Sequence, residues 1–355
     1  NSVSVLLGRT SLAETSSILE DGAITLQEYF PEASFLPLLR RGNINGAIDM
    51  GLSPGLLPGR CNLEEGSEEL QNRWPTLPTC KGLKTREILE AATSGQIDVL
   101  ILLASDPLMD FPDSQLVKEA LERIGTVIAV DIFATDSVLK ADIVLPAATT
   151  TEIDGTFTNL EGRISPIRRS VTPPGTARPD WMIALDLVQY FDPELGPSTF
   201  NELCEEISLV SGMHKDIDLT KVEQMDEDGV VLKRSLQTSQ TTSAKIPKQK
   251  ANSFRLITTR SMYDKGVLAA HSSALKGLAP GSQIKANPED MQKIGVNSES
   301  LVRLIGSKGE IRARLTPDPD TISGTIHVLW NQEGPDIRKL IDSSLPVNDL
   351  KIEKT

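Results

Sequence analysis

Few residues of this 355-residue chain are of a type and spacing that chemistry requires. The three histidines, His214, His271 and His327, sit in separate segments, and the three cysteines, Cys61, Cys80 and Cys204, are odd in number and far apart. A zinc site or a Ser/His/Asp triad needs convergent side chains, and an iron–sulfur cluster usually takes four thiolates. The spacing suggests neither. His327 reads as a core or surface residue of a strand, and the thiols as buried and inert. The sequence has no G-x-S-x-G, H-E-x-x-H or P-loop, and no strand followed by G-x-G-x-x-G. No catalytic residue and no metal ligand is assigned.

What remains is a set of short polar residues placed where a sheet presents its loops. Ser105-Asp106-Pro107 follows the apolar run Val99–Leu103, and Asp131 and Thr135 follow the run at 127–130. In an open parallel sheet, ligands sit outside the carboxyl ends of the strands. Such side chains can accept from a base or ribose while loop amides hold phosphate. They also cap helices and close turns in any protein. Spacing leaves both readings open.

The elements that would position these residues follow from periodicity. The runs at 3–7, Val99–Leu103 and 127–130 are short, continuous and β-branched, as in strands buried on both faces. A further strand is expected at 142–145. Leu116, Val117, Ala120, Leu121 and Ile124 recur at helical spacing, with Asp113 or Ser114 as N-cap. Residues 181–191, preceded by Asp180, are apolar on nearly every side and predict a buried helix. Thr199 and Glu202 form a capping-box pattern before another helix, which Gly212 can end.

Residues 1–220 therefore read as an α/β domain, a doubly wound, mostly parallel sheet with helices on both faces. Residues 221–252 read as a polar linker, because 235–253 are rich in Thr, Ser, Gln and Lys. Residues 253–345 read as a small β-barrel domain with a strand at Leu256-Ile257, a helix capped by Asn287 and Pro288 and closed by Gly295, a hairpin of Leu301–Ile305 with 310–315, and a strand at 322–330. Residues 346–355 read as a tail.

Bulk properties narrow the partners. A net charge of −13 repels a phosphate backbone, so nucleic acid is excluded as a partner. No run reaches the ~20 apolar residues that span a bilayer, so any membrane association is indirect. The sparse cysteines suit a reducing cytoplasm. A start at Asn1, without Met and already close to a strand, reads as a cut from a longer chain.

One stretch is denser in signal. Ala141-Asp142-Ile143-Val144-Leu145-Pro146-Ala147-Ala148, Glu152, Asp154-Gly155-Thr156-Phe157-Thr158-Asn159 and Glu161-Gly162-Arg163 strongly resemble the molybdopterin oxidoreductase family. Asn43, Asn45-Gly46-Ala47, Asp49-Met50-Gly51, Pro54 and Pro58-Gly59 resemble a second segment of that family, and Pro179-Asp180-Trp181 opens its expected helix. Thr259-Arg260, His271-Ser272, Asn287-Pro288-Glu289-Asp290, Gly295 and Gly309 fall as in the family's double-psi barrel, the dinucleotide-binding module.

The resemblance implies specific roles. In catalytic members this half binds the guanosine ends of a bis-pterin cofactor. Ser105, Asp131, Thr135, Asp142, Asn159 and Arg163, with Arg260, His271 and Asn331 in the barrel, match cofactor-side positions. Residues 5–9 with Ser11-Leu12-Ala13-Glu14, His271-Ser272-Ser273-Ala274-Leu275, Trp330-Asn331-Gln332 and Leu340-Ile341-Asp342 look most like the large iron–sulfur (G-type) component of NADH:quinone oxidoreductase. Catalytic members also carry a Gly and a His/Thr-rich run where this chain has Thr259 and residues 262–268.

That branch implies a non-catalytic scaffold with no cofactor in this stretch and iron–sulfur clusters upstream. Its partners would be the other peripheral-arm subunits of a respiratory complex, at the cytoplasmic face of the cell membrane. The alternative is the cofactor-binding half of a molybdenum or tungsten enzyme such as a formate dehydrogenase, holding molybdopterin guanine dinucleotide. A generic nucleotide-binding α/β module fused to a barrel explains the strands but not the dense motif.

Overall fold

The computed structural model describes residues 3–9, 11–64, 66, 68–74, 76–193, 196–225, 228–233, 245–298 and 300–355. Of the expected linker 221–252, residues 226–227 and 234–244 lie outside the described residues, while Val222–Met225 is helical and Val230–Val231 a strand, so its first part packs on the α/β part rather than linking.

Strand β1 (Ser4–Leu7) leads through helix α1 (Ser17–Tyr29) to β2 (Ser34–Pro37), and the two strands pair in parallel from Ser4 opposite Ser34 to Leu7 opposite Pro37. The short helix α2 (Ile44–Asp49) follows, then α3 (Thr85–Thr93), β3 (Val99–Leu103), α4 (Ser114–Arg123), β4 (Thr126–Asp131) and β5 (Ile143–Pro146). β3, β4 and β5 form a parallel sheet in that order. Asp113 is the N-cap of α4, its Oδ1 accepting from Leu116 N at 3.0 Å. The apolar stripe of α4 packs Val117, Ala120 and Ile124 against Leu89, Ala92, Leu102, Val127 and Ala129.

Two expectations fail here. Helices α3 and α4 cover one face of the sheet, while the other leaves Val99, Ile101, Leu103 and Ile143 about half exposed (47–56%). The strands are thus not buried on both faces, and the single doubly wound sheet is replaced by smaller sheets, two of them parallel. The helix expected to be buried, α5 (Asp180–Phe191), follows β6 (Gly155–Thr158) and β7 (Arg163–Ile167). Ile183 is the buried residue of α5, meeting Val130 and Ala147 at the carboxyl end of the sheet, while Leu187, Tyr190 and Phe191 are exposed. Apolar composition marks what a helix could bury, and no described residue covers this face.

Helix α6 (Phe200–Val210) starts at Thr199, whose hydroxyl accepts from Glu202 N at 3.2 Å. The reciprocal bond goes to Ser198 N (2.7 Å), one residue earlier than a capping box requires. Strand β8 (Val230–Val231) adds to β7, so β6, β7 and β8 form an antiparallel sheet over Ile164, Cys204, Leu219 and Val222.

The second part is β9 (Phe254–Thr259), α7 (Val267–His271), β10 (Ile284–Ala286), α8 (Pro288–Lys293), β11 (Leu301–Ile305), β12 (Glu310–Arg314), β13 (Thr316–Pro317), β14 (Thr325–Leu329) and β15 (Asp349–Lys354). These strands make one seven-stranded mixed sheet, ordered β12-β11-β15-β9-β14-β10-β13. Alternate residues of six strands, among them Leu256, Ile284, Leu304, Ile311, Ile326 and Leu350, enter one core, so the sheet curls around it like a barrel. The hairpin and the cap hold as expected: Leu301 lies opposite Arg314, and Asn287 Oδ1 accepts from Glu289 N at 3.0 Å. The last ten residues are not a tail, because β15 sits inside the sheet between β9 and β11.

Residues 11–13 cross from the α/β part into the barrel. Leu12 N donates to Thr258 Oγ1 (2.8 Å), Thr258 N to Ser11 Oγ (3.2 Å), and Ala13 joins the barrel core. Among the described residues, no helix is long and apolar enough to cross a membrane.

The core assignment has a direct measure. Leu304→Ala in the barrel is expected to lower stability by about 2–5 kcal/mol, whereas Ile101→Ala on the open sheet face should stay within about 0.5 kcal/mol. Urea unfolding of both variants checks this; equal losses would show that the open face is packed.

Candidate functional site

The two dense motifs fold onto each other. Asn43, left-handed at φ 60°, accepts from Thr158 N through Oδ1 at 2.9 Å. Asn45 Nδ2 donates to Asn159 O at 2.7 Å. Arg60 donates through Nε to the fully buried Asp49 (2.5 Å) and through Nη2 to Asn45 Oδ1 (3.1 Å). A Cβ on Gly46 would lie 2.1 Å from Asn43 Oδ1, which is why that motif position takes glycine. Asn159 Oδ1 accepts from Glu161 N and Arg163 N, both at 3.0 Å, closing the β6–β7 turn, and Arg163 Nη1 donates to Gly229 O at 2.8 Å. Asn159 and Arg163 are thus tied into the scaffold.

The loops at the carboxyl ends of β3 and β4 hold the remaining α/β candidates. Ala104 ends β3 at φ 45°, a left-handed backbone that alanine rarely adopts. Ser105 beside it is exposed. Asp106 accepts from Ser137 Oγ at 2.5 Å; burial pushes its carboxyl above the usual range, the Ser137 bond opposes this, and Asp110 and Asp136 add to the rise.

Asp131 uses Oδ1 to accept from Ile132 N (2.7 Å) and Phe133 N (3.2 Å), while no described residue bonds to its Oδ2. Thr135 is buried, its hydroxyl accepting from Val138 N at 3.3 Å, so it shapes the loop from within. Asp142 is not brought to this end. Its Oδ2 accepts from Val127 N at 2.7 Å, at the amino-terminal ends of β4 and β5. A parallel sheet separates the two ends of a strand by its full length, and motif density alone does not say which end a residue occupies.

A cavity of about 420 Å³ opens beside the same strand ends, lined among others by Ala104, Ile132, Phe157, Asp180, Trp181 and Phe200. Trp181 packs on Phe200 with ring centroids 5.9 Å apart, and its buried Nε1 has no partner among the described residues. Burial raises the Asp180 carboxyl, and the nearby Asp131 charge adds to the rise.

The barrel closes over these loops. The His271 ring stacks on Phe133 with centroids 4.1 Å apart and planes 19° from parallel. His271 Nδ1 lies 2.8 Å from Val267 O, which accepts only, so that nitrogen carries the proton. Arg338 donates to Leu108 O and to Asp336 Oδ1 (2.8 Å), and Arg40 pairs with Asp264 at 3.1 Å. Between them lies a small cleft of about 130 Å³. Met109 and Asp136 line one side, and Lys265, Asn331, Gln332 and Arg338 the other. Arg260 lies 6.0 Å over the ring of Trp330, which is fully buried with its Nε1 unpartnered.

Thr259 stands where catalytic relatives were expected to carry glycine. Its hydroxyl is 2.6 Å from His327 Nε2 on the neighbouring strand. Burial, reinforced by Lys285 and opposed by Asp318, holds the His327 pKa below the usual range, so the ring is neutral at pH 7.

The residues present fit an anionic dinucleotide. Among the described residues, Lys265 Nζ has no ion-pair partner and the Arg260 guanidinium no hydrogen-bond partner. Among the same residues, Asp131 Oδ2 has no donor and the buried Trp181 Nε1 beside the larger cavity has no acceptor. Sequence reasoning missed Phe133, Lys265 and Arg338 altogether and read Asp180, Trp181 and Gln332 only as motif positions. A cation just before a short helix, as at Lys265, was the available signal.

Two expected outcomes check this geometry. Asp49→Ala leaves Arg60 without its buried carboxylate, and calorimetry should show a loss of about 3 kcal/mol. Burial, then the Asp218 charge, pushes the Cys204 thiol up to about 11. At pH 8 it is therefore a protonated, shielded thiol, and mass spectrometry should find the exposed Cys80 alkylated by iodoacetamide long before Cys204.

Comparison with known proteins agrees with this arrangement. The family description "Molybdopterin oxidoreductase" matches residues 18–190. The chain is 27% identical to the F420-dependent formate dehydrogenase 2 subunit alpha of Methanococcus maripaludis, over 88% of this chain and 50% of that protein. It is 29% identical to an NADH-quinone oxidoreductase subunit of Rhizobium meliloti, the one designated G 2, over 87% of this chain and 36% of that protein. Acetylene hydratase from Pelobacter acetylenicus shares the fold at a TM-score of 0.51 and 15% identity, covering 81% of this chain and 49% of that one. The chain thus spans half or less of the length of these relatives. The expectation of a stretch without cofactor is corrected, since the family match and the formate dehydrogenase relative point to a molybdopterin-type cofactor. Residues 18–190, just under half of the chain, match the molybdopterin oxidoreductase family.

Proposed function

We propose that this chain is the nucleotide-binding half of a molybdenum or tungsten oxidoreductase subunit. It would hold the dinucleotide ends of a bis-pterin cofactor between its strand-end loops and its barrel. The cleft shared by Asp136 and Met109 with Lys265, Asn331 and Arg338 carries this reading. The bound cofactor supplies the redox centre, and the chain supplies binding, orientation and charge.

Each residue then has a stated part. The free oxygen of Asp131 accepts from ring N–H and amino groups of a purine, and Ser105 meets the ribose. Lys265 and Arg260 neutralise phosphate, with Asn331 turning the backbone at the barrel mouth. His271 on Phe133 seals the domains together. Thr135, Asn159 and Arg163 hold the loops rather than the ligand, and Asp142 holds the far end of the sheet. The barrel takes the double-psi form of the family's dinucleotide-binding module.

The formate dehydrogenase relative supports formate or a similarly small substrate. A second reading, supported by the Rhizobium relative, makes the chain part of the large subunit of an NADH:quinone oxidoreductase. In it, peripheral-arm partners pass electrons from NADH toward quinone at the inner face of the cell membrane.

The longer protein that carries this chain, purified without air, should contain molybdenum or tungsten in stoichiometric amount and release guanosine monophosphate on acid hydrolysis. Metal-free, nucleotide-free protein with full occupancy of its iron–sulfur sites would refute the proposal. Reduction of that protein by formate or by NADH then separates the two readings.

A further inference from the structure

We infer that Gln332 is a positioning residue that sets the affinity of the cleft for a nucleotide diphosphate by fixing the barrel mouth around Lys265. The inference rests on the nucleotide site proposed above and adds to it the residue that shapes that site.

Gln332 is half-buried, and its carboxamide joins three separate segments. Nε2 reaches Ser261 Oγ (3.0 Å), Tyr263 O (3.1 Å) and Trp330 O (3.3 Å), three acceptors for two hydrogens. Oε1 accepts from Gly281 N at 3.2 Å. One side chain therefore ties the loop after β9, the loop before β10 and the end of β14.

Backbone bonds complete the same mouth. Ser282 N donates to Glu333 O (2.8 Å) and Lys265 N to Asn331 O (2.8 Å). Asn331 is held left-handed at φ 55°, and Gly334 at φ 126° presses close enough that a Cβ would lie 2.8 Å from Ser282 Cβ. Asparagine takes the left-handed region more readily than other non-glycine residues, and the Gln332 bonds beside it fix the turn it makes. A neutral amide does not titrate near neutral pH, and both ends of this one are taken up by protein partners. Its effect on binding then passes through Lys265, an exposed cation on the same wall of the cleft with no ion-pair partner among the described residues.

Removing the amide leaves the Gly281 N–H and the Tyr263 and Trp330 carbonyls without this partner. The mouth then relaxes, and Lys265 is no longer held toward the cleft. Calorimetric titration of the chain with guanosine diphosphate at low salt tests this. Gln332→Met, close in size, should weaken binding about tenfold, the scale of about one net hydrogen bond. Lys265→Met should weaken it by a similar factor, and Gln332→Met placed on top of Lys265→Met should add little, since residues acting through one another are not additive.

A loose structural role would instead give two independent losses, and that result overturns the inference. So does unchanged binding in Gln332→Met. Absence of binding to the native chain overturns the nucleotide site itself, and the inference with it. Should Gln332→Met not fold, hydrogen exchange on the native chain decides: guanosine diphosphate should slow exchange at Lys265, Gly281 and Ser282, and lack of protection there counts against the role.

Discussion

Everything at the cleft depends on one buried carboxylate whose two oxygens serve different domains. Asp113 is 1% exposed. Its Oδ1 starts helix α4 by accepting from Leu116 N, and its Oδ2 accepts from the amide of Ser343 (3.3 Å) and its hydroxyl (3.4 Å) on the barrel side. A buried carboxylate without donors is costly, so the helix and the barrel must meet wherever Asp113 is satisfied. Arg338, bonded to the carbonyl of Leu108, and the His271–Phe133 stack fix the same seam from other sides. The cleft is what this seam leaves open.

Backbone conformation points to the same place. Ala104 and Asn331 are both left-handed, one just past the end of β3 and the other just past the end of β14. Ala104 lines the larger cavity and Asn331 the interdomain cleft. Such conformations cost of order 1–3 kcal/mol each and collect at ligand sites. Here the contacts that hold the Asn331 turn are visible in the Gln332 carboxamide, while Ala104 N donates a hydrogen bond to Val130 O at 2.8 Å.

Local signals were legible in the sequence, and long-range ones were not. Asp113 and Asn287 cap the helices they were expected to cap, because a cap is set by residues two or three apart. The hairpin of β11 and β12 was readable from its alternation. Glu202 bonds one residue away from the expected amide, a shift that pattern alone does not resolve. The last ten residues pair with strands that are distant in sequence, and Asp142 lies at the far end of the sheet. Neither follows from local periodicity. Nor did the apolar runs show that one sheet face stays open, since hydrophobicity records a capacity for burial rather than what lies opposite.

The Thr259 position shows how a departure from a family pattern should be weighed. Read as letters, threonine in place of glycine argued for a lost cofactor pocket. In the fold, β9 sends Phe254, Leu256 and Thr258 into the core and Thr259 to the other face, where its hydroxyl meets His327. A β-branched side chain there stiffens the strand and occupies its neighbour's imidazole, and no wall of the interdomain cleft is made of it. A substitution removes a site when the new atoms enter it or a required donor leaves. Thr259 does neither, so the missing glycine by itself takes nothing away from the interdomain cleft.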